Sequence, residues 1–214
     1  GSLTRTTISN KKQSIVPNAG VEFQLKNQKY LNASYSVSID APQIRDLQPF
    51  VDYSNPMYLM TGNPNLKPSV SNNASIGFMS FNPVTFINFY TTIQTKHYSS
   101  KIVYNQSIDN NLITQYKAAN MSGGVDNLFF AGFDFPIVKT KLTSGINIFV
   151  NTSKNLVYIN DILNTSQANN FSVGYRLDIT PNDKLSWFLN VNETFNTAKY
   201  SISEGQNQNF NTTN

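Results

Sequence analysis

The chain has 214 residues, a net charge of +4, no cysteine and only 13% charged residues, against roughly 25% for a soluble globular domain. The absence of cysteine excludes disulfides and thiolate metal sites, and the scattered charge lacks the basic stripe of a nucleic-acid binder. No run approaches the roughly 18 apolar residues of a membrane helix, which leaves open a membrane wall of strands needing only about 9 to 11 alternating residues each.

Taken in order, Gly1-Ser2 reads as a cloning remnant, residues 3–202 as a β-rich segment of something larger, and residues 203–214 as a polar loop or tail. From Ser14 to Leu25 the apolar Val21, Phe23 and Leu25 alternate with Glu22 and Gln24, a period of two that predicts a strand. A short turn at Lys26-Asn27-Gln28 leads to Tyr30–Asp40, where Leu31, Ala33, Tyr35, Val37 and Ile39 oppose Asn32, Ser34, Ser36 and Ser38. The two predict a hairpin.

A long loop follows at 42–68. Four prolines between Pro49 and Pro68 remove donors and fix φ, so the segment is neither helix nor central strand. Its Tyr53, Met57, Tyr58, Leu59, Met60 and Leu66 are too apolar for a floppy linker, and it is read as an ordered loop folded back on its neighbours.

Alternation resumes over Val70–Phe81, turns at Asn82-Pro83, and continues through Ile87, Phe89, Thr91 and Ile93. After a polar turn near 107–111, a fifth strand carries Val125, Phe129, Ala131, Phe133 and Phe135 on one side and Gly124, Asp126, Gly132 and Asp134 on the other. Leu128 and Phe130 break the rule there. Pro136 to Thr140 turns the chain into Leu142–Asn151, and a polar loop is expected from Asn160 to Asn169. Phe171, Val173, Tyr175, Leu177 and Ile179 then oppose Ser172, Gly174, Arg176 and Asp178. The turn Thr180-Pro181-Asn182-Asp183 precedes the eighth strand, with Leu185, Trp187, Leu189 and Val191 on its apolar side. Tyr30, Tyr98, Tyr104, Phe135, Trp187 and Tyr200 are expected at membrane interfaces.

Two regularities point to a barrel in a membrane. Short connections at Lys26, Asn82, Ile137 and Asn182 alternate with longer ones, as periplasmic turns alternate with extracellular loops. The apolar faces carry almost no charge, whereas Glu22, Asp40, Lys96, Asp126, Asp134, Arg176 and Asp178 fall on the polar faces. A soluble β-sandwich also alternates. Its solvated face, however, is normally rich in Lys and Glu rather than in the Gly, Ser, Asn and Thr found here.

The stretch Asn55–Phe78 resembles the barrel of TonB-dependent outer-membrane receptors, particularly those of Bacteroidetes. Gly62, Asn63, Pro64, Leu66, Lys67 and Pro68 match the GNPNLKPE signature at which an extracellular loop re-enters the barrel; Ser69 replaces its Glu. The resemblance implies an all-β antiparallel up-and-down meander of about eight strands, part of a larger transmembrane β-barrel of about 22 strands around a plug. It also implies location in the cell outer membrane and energy-coupled import of a bulky nutrient such as a siderophore, glycan or peptide. Outer-membrane lipid, a plug domain and TonB outside this segment, and a surface lipoprotein are the partners it suggests. Nucleic acid is not among them. The alternatives are a soluble cell-surface β-sandwich binding module and a small closed barrel serving as adhesin or structural protein.

No enzyme, cofactor or metal is expected. His97 is the single histidine, so no histidine-based metal cluster can form and any Ser-His-Asp triad would depend on it. Asp126 and Asp134 lie too far apart on one strand to act as a carboxylate pair. Arg176 and Asp178 are expected to interact, and these two with Asp126 and Asp134 are expected to face the lumen. Tyr53, Tyr58, Asn63 and Asn65 of the long loop are the candidate ligand contacts, because aromatics and amides suit sugars or peptides.

Overall fold

The computed structural model describes residues 15–109, 112–201 and 208–213. Its strands are β1 (Asn18–Leu25), β2 (Lys29–Asp40), β3 (Val51–Asp52), β4 (Tyr58–Thr61), β5 (Ser69–Asn82), β6 (Ile87–Ile108) and β7 (Thr114–Met121). They continue with β8 (Gly124–Val138), β9 (Leu142–Ile159), β10 (Ile162–Asn182), β11 (Leu185–Tyr200) and β12 (Gln208–Thr213), and one helical turn, α1 (Ile44–Leu47), lies between β2 and β3. All twelve strands belong to one sheet of order β1-β2-β5-β6-β8-β9-β10-β11-β12, with β3, β4 and β7 forming a branch beside β6. Neighbours on the main path are antiparallel. Among the described residues the expected all-β meander is present, and the second packed sheet that a sandwich requires is not.

The sheet is a wall rather than a ball. The chain exposes 14825 Å², about one and a half times the surface expected of a globular chain of its mass. Among the described residues, Leu66 and Ala118 are the buried hydrophobic core, and neither lies in the main wall's apolar stripe. That stripe can be followed strand to strand by register: Phe23, Leu31, Phe78, Thr91, Ala131, Ile148 and Val173 occupy one row. Ile93, Phe129, Phe133, Ile146, Ile148, Phe171 and Leu189 are left open to the surroundings. A soluble protein would hide such a surface against other protein. A bilayer covers it instead.

Tight turns close one end of the wall. Asn27 and Gln28 have φ of 62° and 54°, the left-handed pair that matches a hairpin's twist. At the other end Asn160 and Asp161, with φ of 47° and 62°, make an equally tight turn. Beyond that turn the polar loop expected at Asn160–Asn169 is strand from Ile162 on: Gln167, Ala168 and Asn169 pair with both Lys154–Thr152 and Lys199–Thr197. Part of the expected polar tail is strand as well, because Gln208–Thr213 pair with β11; residues 203–207 and 214, like 1–14, lie outside the described residues. Pro136 likewise belongs to β8, where the register shifts between Pro136 and Val138.

The fifth strand is divided. β7 and β8 share one frame against β6, from Lys101↔Met121 to Tyr98↔Gly124, but the ladder breaks at Ser122-Gly123. Gly123 has φ of 93°, a conformation that side chains disfavour. Four of the six expected interfacial aromatics sit on the other face. Tyr30, Tyr98, Tyr104 and Tyr200 have the parity of the polar positions, whereas Phe135 and Trp187 face outward. Strand-end position alone does not specify a face.

Candidate functional site

The long loop owes its order to backbone bonds that side chains complete. β4 lies parallel to β7, with Tyr58↔Thr114 through Thr61↔Lys117, and the Thr114 N–H donates to the Met57 carbonyl at 3.0 Å. Asn63 donates from its side-chain amide to the Ala118 carbonyl at 3.2 Å, and its own Oδ1 accepts from the Asn65 N–H at 2.9 Å. Asn120 clasps Lys67 by its backbone: Oδ1 accepts the Lys67 N–H and Nδ2 donates to the Lys67 carbonyl, both at 2.8 Å. Leu66 and Ala118, at 2% and 0% exposure, are buried in this clasp.

Gly62 makes the clasp close. A Cβ there would lie 2.5, 2.7 and 2.8 Å from the carbonyl oxygens of Gln48, Asp46 and Arg45. The Asn63 N–H donates to the Asp46 carbonyl at 2.6 Å. Asp46 itself is buried and accepts the Tyr104 hydroxyl at 2.8 Å. Burial, followed by that bond and the Asp46 charge, pushes the Tyr104 hydroxyl above its ordinary pKa. Asp52 moves the other way: the Ser54 hydroxyl and N–H, then the charge of Arg45, hold its carboxyl below the usual range.

The loop sits on one side only. Ser100, Tyr104, Tyr116, Ala118 and Asn120, which it touches or rests beside, share the parity of Asp126 and Asp134 in the common β7–β8 frame. It is therefore folded over the polar face of the wall. Tyr58 stacks on Tyr116 with ring centres 6.5 Å apart and remains half-exposed. Tyr53 is open and lines a cleft of about 250 Å³ with Arg45, Asp52 and Met60. Asn65 is exposed, while both ends of the Asn63 amide are committed to the protein.

Below the loop the polar face carries fixed charge. Arg176 binds Asp134 at 3.2 Å and Asp178 at 2.9 Å, and Asn88 donates to the second oxygen of Asp134 at 3.3 Å. Gly145 stands between Arg176 and Asp134 in the register, and a side chain there would occupy the space of the Asp134 carboxylate. Asp126 is separate: it accepts the Tyr98 hydroxyl at 3.0 Å, and the ammonium of Lys101 lies 4.4 Å from that ring's centre. Asp134, Arg176 and Asp178 form a triad on the polar face, and Asp126 stands apart from it.

Sequence reasoning missed the groove of about 490 Å³ lined by Glu22, Tyr30, Asn32, Gly77, Met79 and Tyr90. The parity that Tyr30 shares with Glu22 is the sequence signal that places it in this groove. Among the described residues no three metal-ligating side chains converge. The arrangement offers hydrogen bonds and ring faces to a polar solute. His97, on the apolar face opposite Asn72 and Val125, stands away from these charges.

The profile of the outer membrane protein beta-barrel family matches residues 2–182. No curated protein matches the chain.

Proposed function

Because the chain belongs to the outer membrane protein beta-barrel family and is located in the outer membrane, we propose that it is part of the wall of a TonB-dependent receptor that imports a bulky nutrient. The nutrient class is a siderophore, glycan or peptide, and the segment has no catalysis of its own. A plug domain and TonB, outside this segment, supply gating and energy, and a surface lipoprotein assists capture.

The observation that carries this reading is the loop at 42–68, locked by backbone pairing to β7 over the polar face of the wall. A fixed loop above a polar lumen suits selection of a solute before passage. Tyr53 and Tyr58 offer open ring faces and Asn65 a free amide, with Asn63 holding them in place; Arg176, Asp178, Asp134 and Asp126 line the path below. A purely structural wall has no need of a loop so fixed at its mouth.

The test is uptake of labelled siderophore, oligosaccharide and peptide by cells carrying the full-length protein, with and without a protonophore. Uptake of one class that stops when the proton gradient collapses supports the proposal. Uptake equal to that of cells lacking the protein, for all three classes, sinks it.

A further inference from the structure

We propose that Lys154 and Lys199, on the lipid-facing side of the wall, hold the phosphate of an anionic lipid headgroup at the loop-bearing end of the barrel. The proposal rests on two successive outward-facing rows of the sheet. In the first, Thr95, Asn127, Thr152, Asn169 and Thr197 lie opposite one another across five strands. Thr95 donates to Asn127 at 2.8 Å, Asn127 to Thr152 at 3.3 Å, and Asn169 to Thr197 at 3.1 Å. This polar collar sits directly above Ile93, Phe129, Val150, Phe171 and Phe195, the last apolar row. Its side chains bond along the surface, which marks the level where hydrocarbon ends and headgroups begin.

One row further from the hydrocarbon, His97, Val125, Lys154, Gln167 and Lys199 are in register. Two residues along a strand is about 6.6 Å, so this row lies at headgroup depth. Lys154 and Lys199 are exposed and separated only by the β10 strand that carries Gln167, a spacing of roughly 10 Å between backbones. Neither forms an ion pair with a described residue. The outward carboxylate on the same strand as Lys199 is Glu193, six residues away, and it accepts the Thr213 hydroxyl at 2.6 Å. Two ammonium groups on flexible stems, with a Gln amide between them, can close on one phosphate from both sides. A lipid is the occupant because the row continues the bilayer-facing surface, out of reach of solutes in the lumen.

The experiment is native mass spectrometry of the detergent-solubilised full-length protein mixed with phosphatidylglycerol or phosphatidylcholine. The wild type is expected to retain phosphatidylglycerol preferentially. K154S/K199S should retain it at least roughly fivefold less, with unchanged β-sheet circular dichroism, and K154R/K199R should restore it. K141S/K184S, at the opposite end of the wall, should behave as wild type. Equal retention of the two lipids by the wild type, or an equal loss in K141S/K184S, overturns the proposal, and neither outcome bears on nutrient uptake.

Discussion

Arg176 on β10 reaches over Gly145 on β9 to bind Asp134 on β8. The pair spans a whole strand because the position between them has no side chain. A double-mutant cycle of Arg176→Gln and Asp134→Asn should give a coupling of about 0.5–1 kcal/mol, as expected of a partly exposed pair. In a Gly145→Val background the coupling should vanish, since the valine takes the place of the carboxylate. Denaturant titration of all eight combinations in micelles measures it, and an unchanged coupling with valine present would show that the bond does not depend on the gap.

The clasp at Gly62 should fail independently of the wall. Gly62→Ala forces a methyl group against three backbone carbonyls, which no rotamer change relieves, at a cost of about 1–3 kcal/mol. Trypsin should then cut after Arg45 much faster than in wild type, while the melting of the sheet stays within a few degrees. Equal cutting rates would mean that the loop tolerates the added carbon.

Ile148 on β9 and Gln94 on β6 lie on opposite faces of the wall. Ile148→Arg places a charge in the middle of the apolar rows and should destabilise the wall by about 2–4 kcal/mol. Gln94→Arg stays on the polar face and should cost little. Folding yield into liposomes separates the two, and a comparable loss for both would contradict the assignment of faces.

Tyr104 makes the loop sensitive to alkali. Its pKa is raised in the folded state above the ordinary value of 10.0, so the protonated hydroxyl is the form the fold prefers. The stability it contributes is complete below the unfolded pKa and is lost as pH rises through the higher folded one. Proteolysis of the 42–68 loop should therefore accelerate on raising the pH above about 10. In Tyr104→Phe the rate should be higher at neutral pH and show no such rise.

The parts of this fold that were legible in the sequence are those where one face meets lipid. Phe171 to Ile179 alternates cleanly because a bilayer punishes any lapse. Gln167 to Asn169 and Gln208 to Thr213 are strands too, but at that end of the wall the side chains on both faces are largely polar, so nothing in their spacing separates them from loop. The pairing of Arg176 with Asp178 follows from their separation by two residues. Asp134 as the shared partner does not, because it depends on register set across β9. The parallel contact of Tyr58 with Thr114 joins residues far apart in the chain, and no local pattern encodes it.

Among the described residues, β1 and β12 are each paired on a single side. Within hydrocarbon every unpaired amide or carbonyl costs several kcal/mol, so these margins behave like the two tapes of an open zipper. A margin without a partner stays out of hydrocarbon, so pairing of the margins and insertion go together, and an uncovered rim is the wall's most adhesive surface.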